Sequence, residues 1–478
     1  MSNTAQNLAS TRIASLLDEN SFVEIGGYVT ARSTDFNMQQ TETPGDGVVT
    51  GYGVIDGHLV YVYSQDASVL GGTIGEMHAK KIAGLYDMAL KMGAPVIGLL
   101  DCAGLRLQEA TDALNAFGEI YMKQTLASGV IPQITAVFGR CGGGLALVPA
   151  LTDFTFMEGK KAELFVNSPN ALDGNSKEKC DTASAEFQSE ETGLVDFVGT
   201  EDEIMTQIRD LVSMLPANNE DDMSYEECTD DLNRVCADLA NAAGDTTILI
   251  SNIADDNHFV EVKAAYAPDM VTGFIRLNGS TVGVVANRTE VYGEDGTLEK
   301  TFDCVLSARG AEKAAEFVTF CDAFEIPVLS LTNVAGFKAS KCSEKKIAKA
   351  AAKLTYAFAD ATVPKVNVII GKAFGSAYVA MNSKAIGADV TFAWSQAQIG
   401  MMDAQLAAKI MYADSDVKVI NEKAAEYAAL QSSAMAAAKR GYVDNIIEAE
   451  DTRKYVIGAF EMLFTKRDDR PAKKHGTV

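Results

Sequence analysis

The sequence is short of the residues on which most hydrolytic and metal chemistry depends. Its 478 residues include only four histidines, His58, His78, His258 and His475, and none is spaced as a ligand pair, which argues against a structural zinc site. No H-E-x-x-H, G-x-S-x-G or Walker glycine loop occurs, so hydrolysis by a bound metal or a nucleophile triad is disfavoured. The eight cysteines contain no C-x-x-C pair and no signal peptide precedes them; they read as reduced thiols of a cytoplasmic protein. No apolar run reaches the roughly 18 residues needed to cross a bilayer, so membrane association would come through a partner. Positive charge is scarce as well, with 41 Lys and Arg against 65 Asp and Glu and a net charge of −24, which excludes a broad nucleic-acid footprint. The basic stretch from Lys466 to His475 reads as a solvated end.

What the sequence does contain is one long segment twice. Ala79 to Arg106 aligns without a gap on Ala311 to Lys338, Pro95 matching Pro327 and Gly104 matching Gly336, an offset of 232 residues. The same offset sets Ile131 to Gly144 (IPQITAVFGRCGGG) on Val363 to Ser376 (VPKVNVIIGKAFGS). Upstream, VTGYGVIDGHLVYV from Val49 matches VTGFIRLNGSTVGV from Val271 at an offset of 222, so the second copy carries ten extra residues between these blocks. A repeat of this length is a duplicated domain and not a solenoid unit. Two domains follow, 1–240 and 241–478, joined through the acidic stretch Asn218 to Asn233 (NNEDDMSYEECTDDLN).

Each copy opens with alternating extended segments, and Asp56-Gly57 reads as a tight hairpin turn. Amphipathic helices are expected from Glu76 to Met92 and from Gly310 to Phe324, each followed by a short buried strand and a glycine turn. A second helix leads to another buried strand, ITAVFG or VNVIIG, whose glycine turn opens a further helix. Strands separated by helices imply right-handed crossovers and a mostly parallel core. The fold class is α/β.

The repeated turns suit one kind of chemistry. At Gly142-Gly143-Gly144 a ligand can approach the main chain because no Cβ intervenes. The first amides of the following helix lack partners, and its dipole adds positive charge. The matching turn, Phe374-Gly375-Ser376-Ala377, offers the same donors. Backbone N–H groups so placed would stabilise the oxygen of a thioester carbonyl as it becomes an enolate. With no acid or base evident at the turns, the base would be brought by a substrate or cofactor.

The blocks DGVVTGYGVIDG, LGGTIGEMHAKKI, GAPVIGL, GVIPQ, FCDAFEIPVLSL, YAFADATVPK and AYVAMNSKAIGADV, in this order and over nearly the whole chain from Thr11, resemble the β-type carboxyltransferase subunits of biotin-dependent acyl-CoA carboxylases and related decarboxylases. The resemblance implies tandem crotonase-like domains built as β-β-α superhelices. It implies a hexamer whose sites lie between the first domain of one subunit, the acyl-CoA side, and the second domain of another, the biotin side. Carboxybiotin then releases CO2, the biotin enolate takes the α-proton of the acyl-CoA, and the CoA enolate captures CO2, with no metal. By the same resemblance Gly143 and Gly144 hold the CoA enolate and Ser376 and Ala377 the biotin enolate, while Gly104, Gly142, Gly375 and Val379 shape the substrate region. Arg106 matches a family arginine with two roles open to it, contact with CoA phosphates or the transferred carboxylate, or a structural capping role.

The chain has no biotinyl Ala-Met-Lys-Met signature and no ATP-binding loop, so the implied partners are a separate biotin carboxyl carrier protein and either a biotin carboxylase or a membrane decarboxylase subunit. Acetyl-, propionyl- and methylmalonyl-CoA are the acyl groups in range. Departures from the family pattern at Ala103, Leu105, Asn333 and Ala335 motivate a second reading, a non-catalytic scaffolding paralogue, and Asn167-Ser168-Pro169 departs in the region that sets the substrate. A biotin-independent crotonase-type enzyme is a third; it would want paired carboxylates at the first turn, which are absent between Cys141 and Leu147.

Overall fold

The computed structural model describes residues 7–32, 36–221, 225–293, 295–473 and 476–477. The chain divides into two compact units, Met1–Ser224 and Tyr225–Val478. In the first, strands β1 (Val23–Ile25), β2 (Val48–Ile55), β3 (His58–Gln65), β4 (Val96–Leu100), β5 (Gln133–Val137), β7 (Phe154–Glu158) and β9 (Phe197–Gly199) form one sheet in that order. β6 (Arg140–Gly142) and β8 (Glu163–Phe165) pair separately, in parallel. The first two pairings are antiparallel and the rest parallel. β4 and β5 are buried at every residue, as expected of parallel strands covered on both faces.

The second unit repeats this plan. Its strands are β10 (Phe259–Val262), β11 (Met270–Leu277), β12 (Ser280–Asn287), β13 (Glu290–Tyr292), β14 (Leu298–Thr301), β15 (Val328–Val334), β16 (Lys365–Phe374), β17 (Val390–Trp394), β18 (Gln398–Gly400) and β19 (Asn445–Ile447). The main sheet runs β10-β11-β12-β15-β16-β17-β19, and β18 pairs the far end of β16. Each unit has its own apolar core, built around Ile82, Leu85, Val96 and Ile120 in the first and Leu249, Val284, Leu331 and Val368 in the second.

Local chemistry explains the shared elements. The two-residue hairpin turns are Asp56 (φ 48°) and Gly57 (φ 83°), and Asn278 (φ 52°) and Gly279 (φ 77°), the left-handed pairs that a twisted hairpin demands. The first long helix is Glu76–Met92, ended by Gly93 in the left-handed region, where glycine carries no Cβ penalty. Its counterpart is Ala308–Ala323, two residues earlier at its start than the sequence pattern suggests, because the Ser307 hydroxyl accepts the Gly310 amide at 3.0 Å and caps it there. The ten extra residues of the second copy are the β13–β14 ribbon, which pairs only with itself.

The boundary differs from the sequence-based position near residue 240. The segment after Tyr225 is strapped onto the second unit: Glu226 N donates to Gly279 O and Cys236 N to Glu450 O, while Arg234 donates to the carbonyls of Asn252 and Ala254. Among the described residues no helix is long and apolar enough to cross a membrane.

Candidate functional site

In each unit two turns lie at the C-terminal ends of neighbouring parallel strands, and the same bonds hold them. After β4, Asp101 N donates to the Gln65 amide oxygen at 3.2 Å, Ile74 N to Gly104 O at 2.9 Å and Arg106 N to Ile74 O at 2.9 Å. After β15, Asn333 N donates to the Asn287 amide oxygen at 3.0 Å, Leu306 N to Gly336 O at 2.8 Å and Lys338 N to Leu306 O at 3.0 Å. The duplication therefore extends to individual hydrogen bonds at the turns. Gly104 adopts φ +109°, a left-handed conformation that favours glycine.

The second turn of each unit begins in the same way. Gly142 is extended and Gly143 takes φ +66°; Phe374 is extended and Gly375 takes φ +62°. A Cβ on Gly142 would lie 2.7 Å from the Phe165 ring, and one on Gly375 would lie 3.2 Å from Met401 O. Gly144 and Ser376 are exposed, and Ala377 is buried. The N–H groups of Gly143, Gly144, Ser376 and Ala377 belong to first turns, which leave amides without intrahelical acceptors. The helices they open are short, a 3₁₀ turn Gly143–Ala146 running into Leu147–Ala150, and Gly375–Ala380. The helix-dipole contribution expected from the sequence is therefore small here, and the donor capacity resides in the individual amides.

Of the two roles open to Arg106, its surroundings leave only the structural one. The side chain is fully buried: Nη1 donates to Asp46 Oδ1 at 2.6 Å and Glu109 Oε1 at 2.8 Å, and Nη2 to Thr73 O at 2.8 Å. Glu109 Oε2 in turn accepts Glu76 N at 2.6 Å, capping the helix Glu76–Met92. The expected contact of Arg106 with CoA phosphates or a carboxylate is corrected accordingly, since the guanidinium has no surface to offer a ligand.

A buried network that the sequence reading missed supports the first turn from below. His78 Nδ1 lies 2.9 Å from Asp46 O and His78 Nε2 lies 3.2 Å from Gln65 Nε2. The amide nitrogen can only donate, so Nε2 accepts and Nδ1 carries the proton. Burial drives the His78 pKa down to about 3, keeping the ring neutral. Gln65 then presents its oxygen to Asp101 N, joining His78 to the turn. The available signal was the match of Gln65 with Asn287 at the ends of β3 and β12.

The departure at Asn333 is explained locally. A Cβ on Gly139 would lie 2.0 Å from Asp101 Oδ1, and one on Gly371 would lie 2.5 Å from Asn333 Oδ1, so both side chains press on a glycine. Asp101 pairs with Arg12 at 3.0 Å, whereas Asn333 Oδ1 accepts Lys372 N at 3.0 Å. A neutral amide suffices where no arginine faces it.

Beside the second turn, Tyr378, Val379, Ile399, Met401, Arg440 and Tyr442 help line a cavity of about 410 Å³. Val379 is half-buried and lines this cavity. Burial pushes the Tyr378 phenol up to about 12, so it stays protonated at neutral pH. In the first unit the Tyr121 hydroxyl donates to Gly144 O at 2.5 Å, a contact that nothing in the sequence pattern signalled. Among the described residues no group of three or more His, Cys, Asp or Glu is placed to hold a metal ion.

A duplicated α/β domain with amide donors at matching strand ends is the arrangement expected of the crotonase-like class, and the comparisons with known proteins agree with it. The chain belongs to the carboxyl transferase family, whose domain description matches residues 3–478. It is 40% identical to the methylmalonyl-CoA decarboxylase subunit alpha of Propionigenium modestum, over 98% of this chain and 92% of the relative. It is 41% identical to the propionyl-CoA carboxylase beta chain of Roseobacter denitrificans, over 98% and 93%. The crystal structure of transcarboxylase 12S, described as a hexamer assembly with hydrolysed methylmalonyl-coenzyme A bound, superposes with a TM-score of 0.91 at 37% identity, over 98% of this chain and 92% of that one. The protein is a carboxyltransferase of the biotin-dependent acyl-CoA type, and the scaffold and biotin-independent readings give way to it.

Proposed function

We propose that this subunit moves CO2 between carboxybiotin on a separate carrier protein and the propionyl-CoA/methylmalonyl-CoA couple, working as a hexamer in the cytoplasm. The observation that carries the proposal is the pair of equivalent turns, one per unit, each with left-handed glycine followed by first-turn amides. In this reading the N–H groups of Gly143 and Gly144 receive the thioester oxygen and stabilise it as the α-proton leaves, and Gly104 and Gly142 keep side chains out of the approach. Ser376 and Ala377 receive the ureido oxygen of biotin through their N–H groups, Gly375 supplies the turn, and Val379 with Met401 and Ile399 gives the neighbouring cavity apolar walls. The ureido oxygen gains negative charge as carboxybiotin releases CO2, and paired N–H donors at this turn would stabilise it. Bound biotin would supply both the CO2 and the base, so no protein carboxylate is required at either turn. The names of the relatives support the three-carbon acyl group and a partner that delivers biotin. Whether the complex is completed by a biotin carboxylase or by a membrane decarboxylase subunit sets the direction of transfer.

Product formation from malonyl-CoA, methylmalonyl-CoA and glutaconyl-CoA, each with and without free biocytin, tests this reading. Biocytin-dependent decarboxylation with methylmalonyl-CoA preferred is the expected result. Turnover that ignores biocytin would refute the assignment of the second turn.

A further inference from the structure

Phe117 and Tyr121 stand four residues apart on the helix Ala110–Ala127 and face the first glycine turn. Their rings meet edge to face, 5.0 Å between centroids at 67°, and Phe117 is anchored in the core. The Tyr121 hydroxyl reaches Gly144 O at 2.5 Å. A Cβ on Gly144 would lie 3.0 Å from that hydroxyl and 3.1 Å from Phe117, so the aromatic pair sits directly against the turn.

Three glycines in succession, Gly142 to Gly144, leave the main chain unusually free to rotate. A backbone donor stabilises a developing oxyanion to the extent that it is oriented before the charge appears. The Gly142–Gly144 turn therefore needs an external restraint, and the Phe374–Ala377 turn does not need the same one. At the 232-residue offset Gly142 and Gly144 correspond to Phe374 and Ser376, so a single glycine remains, and the positions of Phe117 and Tyr121 are taken by Lys349 and Lys353. The aromatic pair is present in the copy with the glycine run and absent from the copy without it.

We propose that Tyr121 is a positioning residue: by holding the Gly144 carbonyl it fixes the Gly144–Leu145 peptide plane, limits the rotation of Gly144 from its C-terminal side, and so steadies the turn whose Gly143 and Gly144 N–H groups meet the acyl-CoA oxygen. The inference rests on the role assigned to that turn above. It does not make Tyr121 a proton donor to substrate, because its hydroxyl hydrogen is engaged by the carbonyl. Gly144 O also accepts Leu147 N, so removing the hydroxyl strands no buried acceptor and the fold should survive.

The test is Tyr121→Phe in the full-length protein, which keeps the ring against Phe117. The measurements are kcat and KM for biocytin-dependent decarboxylation of methylmalonyl-CoA, the thermal midpoint, and hydrogen exchange of the peptide covering residues 142–147. Losing one oxyanion donor outright costs on the order of 10²- to 10³-fold, so loosening one should lower kcat about five- to twentyfold. KM and midpoint should stay put while exchange at 142–147 quickens. Unchanged kcat with unchanged exchange overturns the proposal, and so does a fall in kcat that merely tracks a lowered midpoint and a raised KM. If the wild-type protein shows no biocytin-dependent turnover, the functional reading fails, and the exchange comparison alone still decides whether Tyr121 orders the turn.

Discussion

Around the Arg106 guanidinium stand two carboxylates, Asp46 and Glu109, and the three side chains are closed off from solvent. Replacing Arg106 with methionine would leave both carboxylates buried without their cation, a defect that costs about 3–5 kcal/mol. We therefore expect Arg106→Met to lower the urea midpoint strongly, while whatever enzyme remains folded keeps its KM for acyl-CoA; a raised KM at unchanged stability would return Arg106 to the substrate. His78 predicts a pH effect. Its folded value of about 3 lies below the 6.5 of an ordinary imidazole. Between these values the unfolded chain binds a proton that the folded chain refuses, so stability is full above about pH 6.5 and falls with acidification by about 1.4 kcal/mol per pH unit from this residue. In His78→Gln, unfolding measured from pH 7 to 5 should show a shallower acid-side loss than in the parent. Equal slopes would contradict the buried neutral ring.

At the scale of elements, the Asp56-Gly57 hairpin turn and the helix Glu76–Met92 were legible because each has a local cause: a left-handed dipeptide, a hydrophobic stripe, a glycine stop; the mostly parallel core followed from the alternation of strands and helices, but not the order of strands in the sheets. The ten-residue insertion was legible as a change of offset, yet not as the β13–β14 ribbon, since its strands form no part of a core and β14 is exposed throughout. Excising Val291–Lys300, the length by which the copies differ, should shift the thermal midpoint by only a few degrees, as expected of a change near 1 kcal/mol. A collapse of the midpoint in calorimetry would show that the ribbon supports the second unit. The Asp46–His78–Gln65–Asp101 chain and the Tyr121 contact were not legible. They join residues 13 to 36 positions apart through side chains, and neither periodicity nor turn propensity records such meetings. The choice between the two roles of Arg106 stayed open for a related reason: an arginine beside a glycine turn gives no sign of whether it points outward, and here the carboxylates drawing it inward come from two separate segments.

At the scale of the whole molecule, the chain is one domain duplicated, and in the proposed reading its two copies divide the labour. Both copies keep the strand order, the bonds at the first turn and the left-handed glycine at the second. Half-buried Lys81 and buried Lys313, partners at the 232-residue offset, even cap equivalent carbonyls at Val48 and Met270. The copies diverge where ligands would lie: three glycines under an aromatic pair in one, a glycine-serine turn beside an apolar cavity in the other. In solution, mass photometry should find particles of about six times the 50.9 kDa chain, in keeping with closed point-group assembly of identical subunits; a monomer active at full rate would contradict the hexameric proposal. The most direct test of the division of labour is Ser376→Pro, which deletes one proposed donor at a helix start where proline is tolerated. With biocytin and methylmalonyl-CoA, turnover should fall by on the order of a hundredfold or more while methylmalonyl-CoA binding and the thermal midpoint stay unchanged. Undiminished biocytin-dependent turnover in that variant would contradict the claim that the second turn holds biotin.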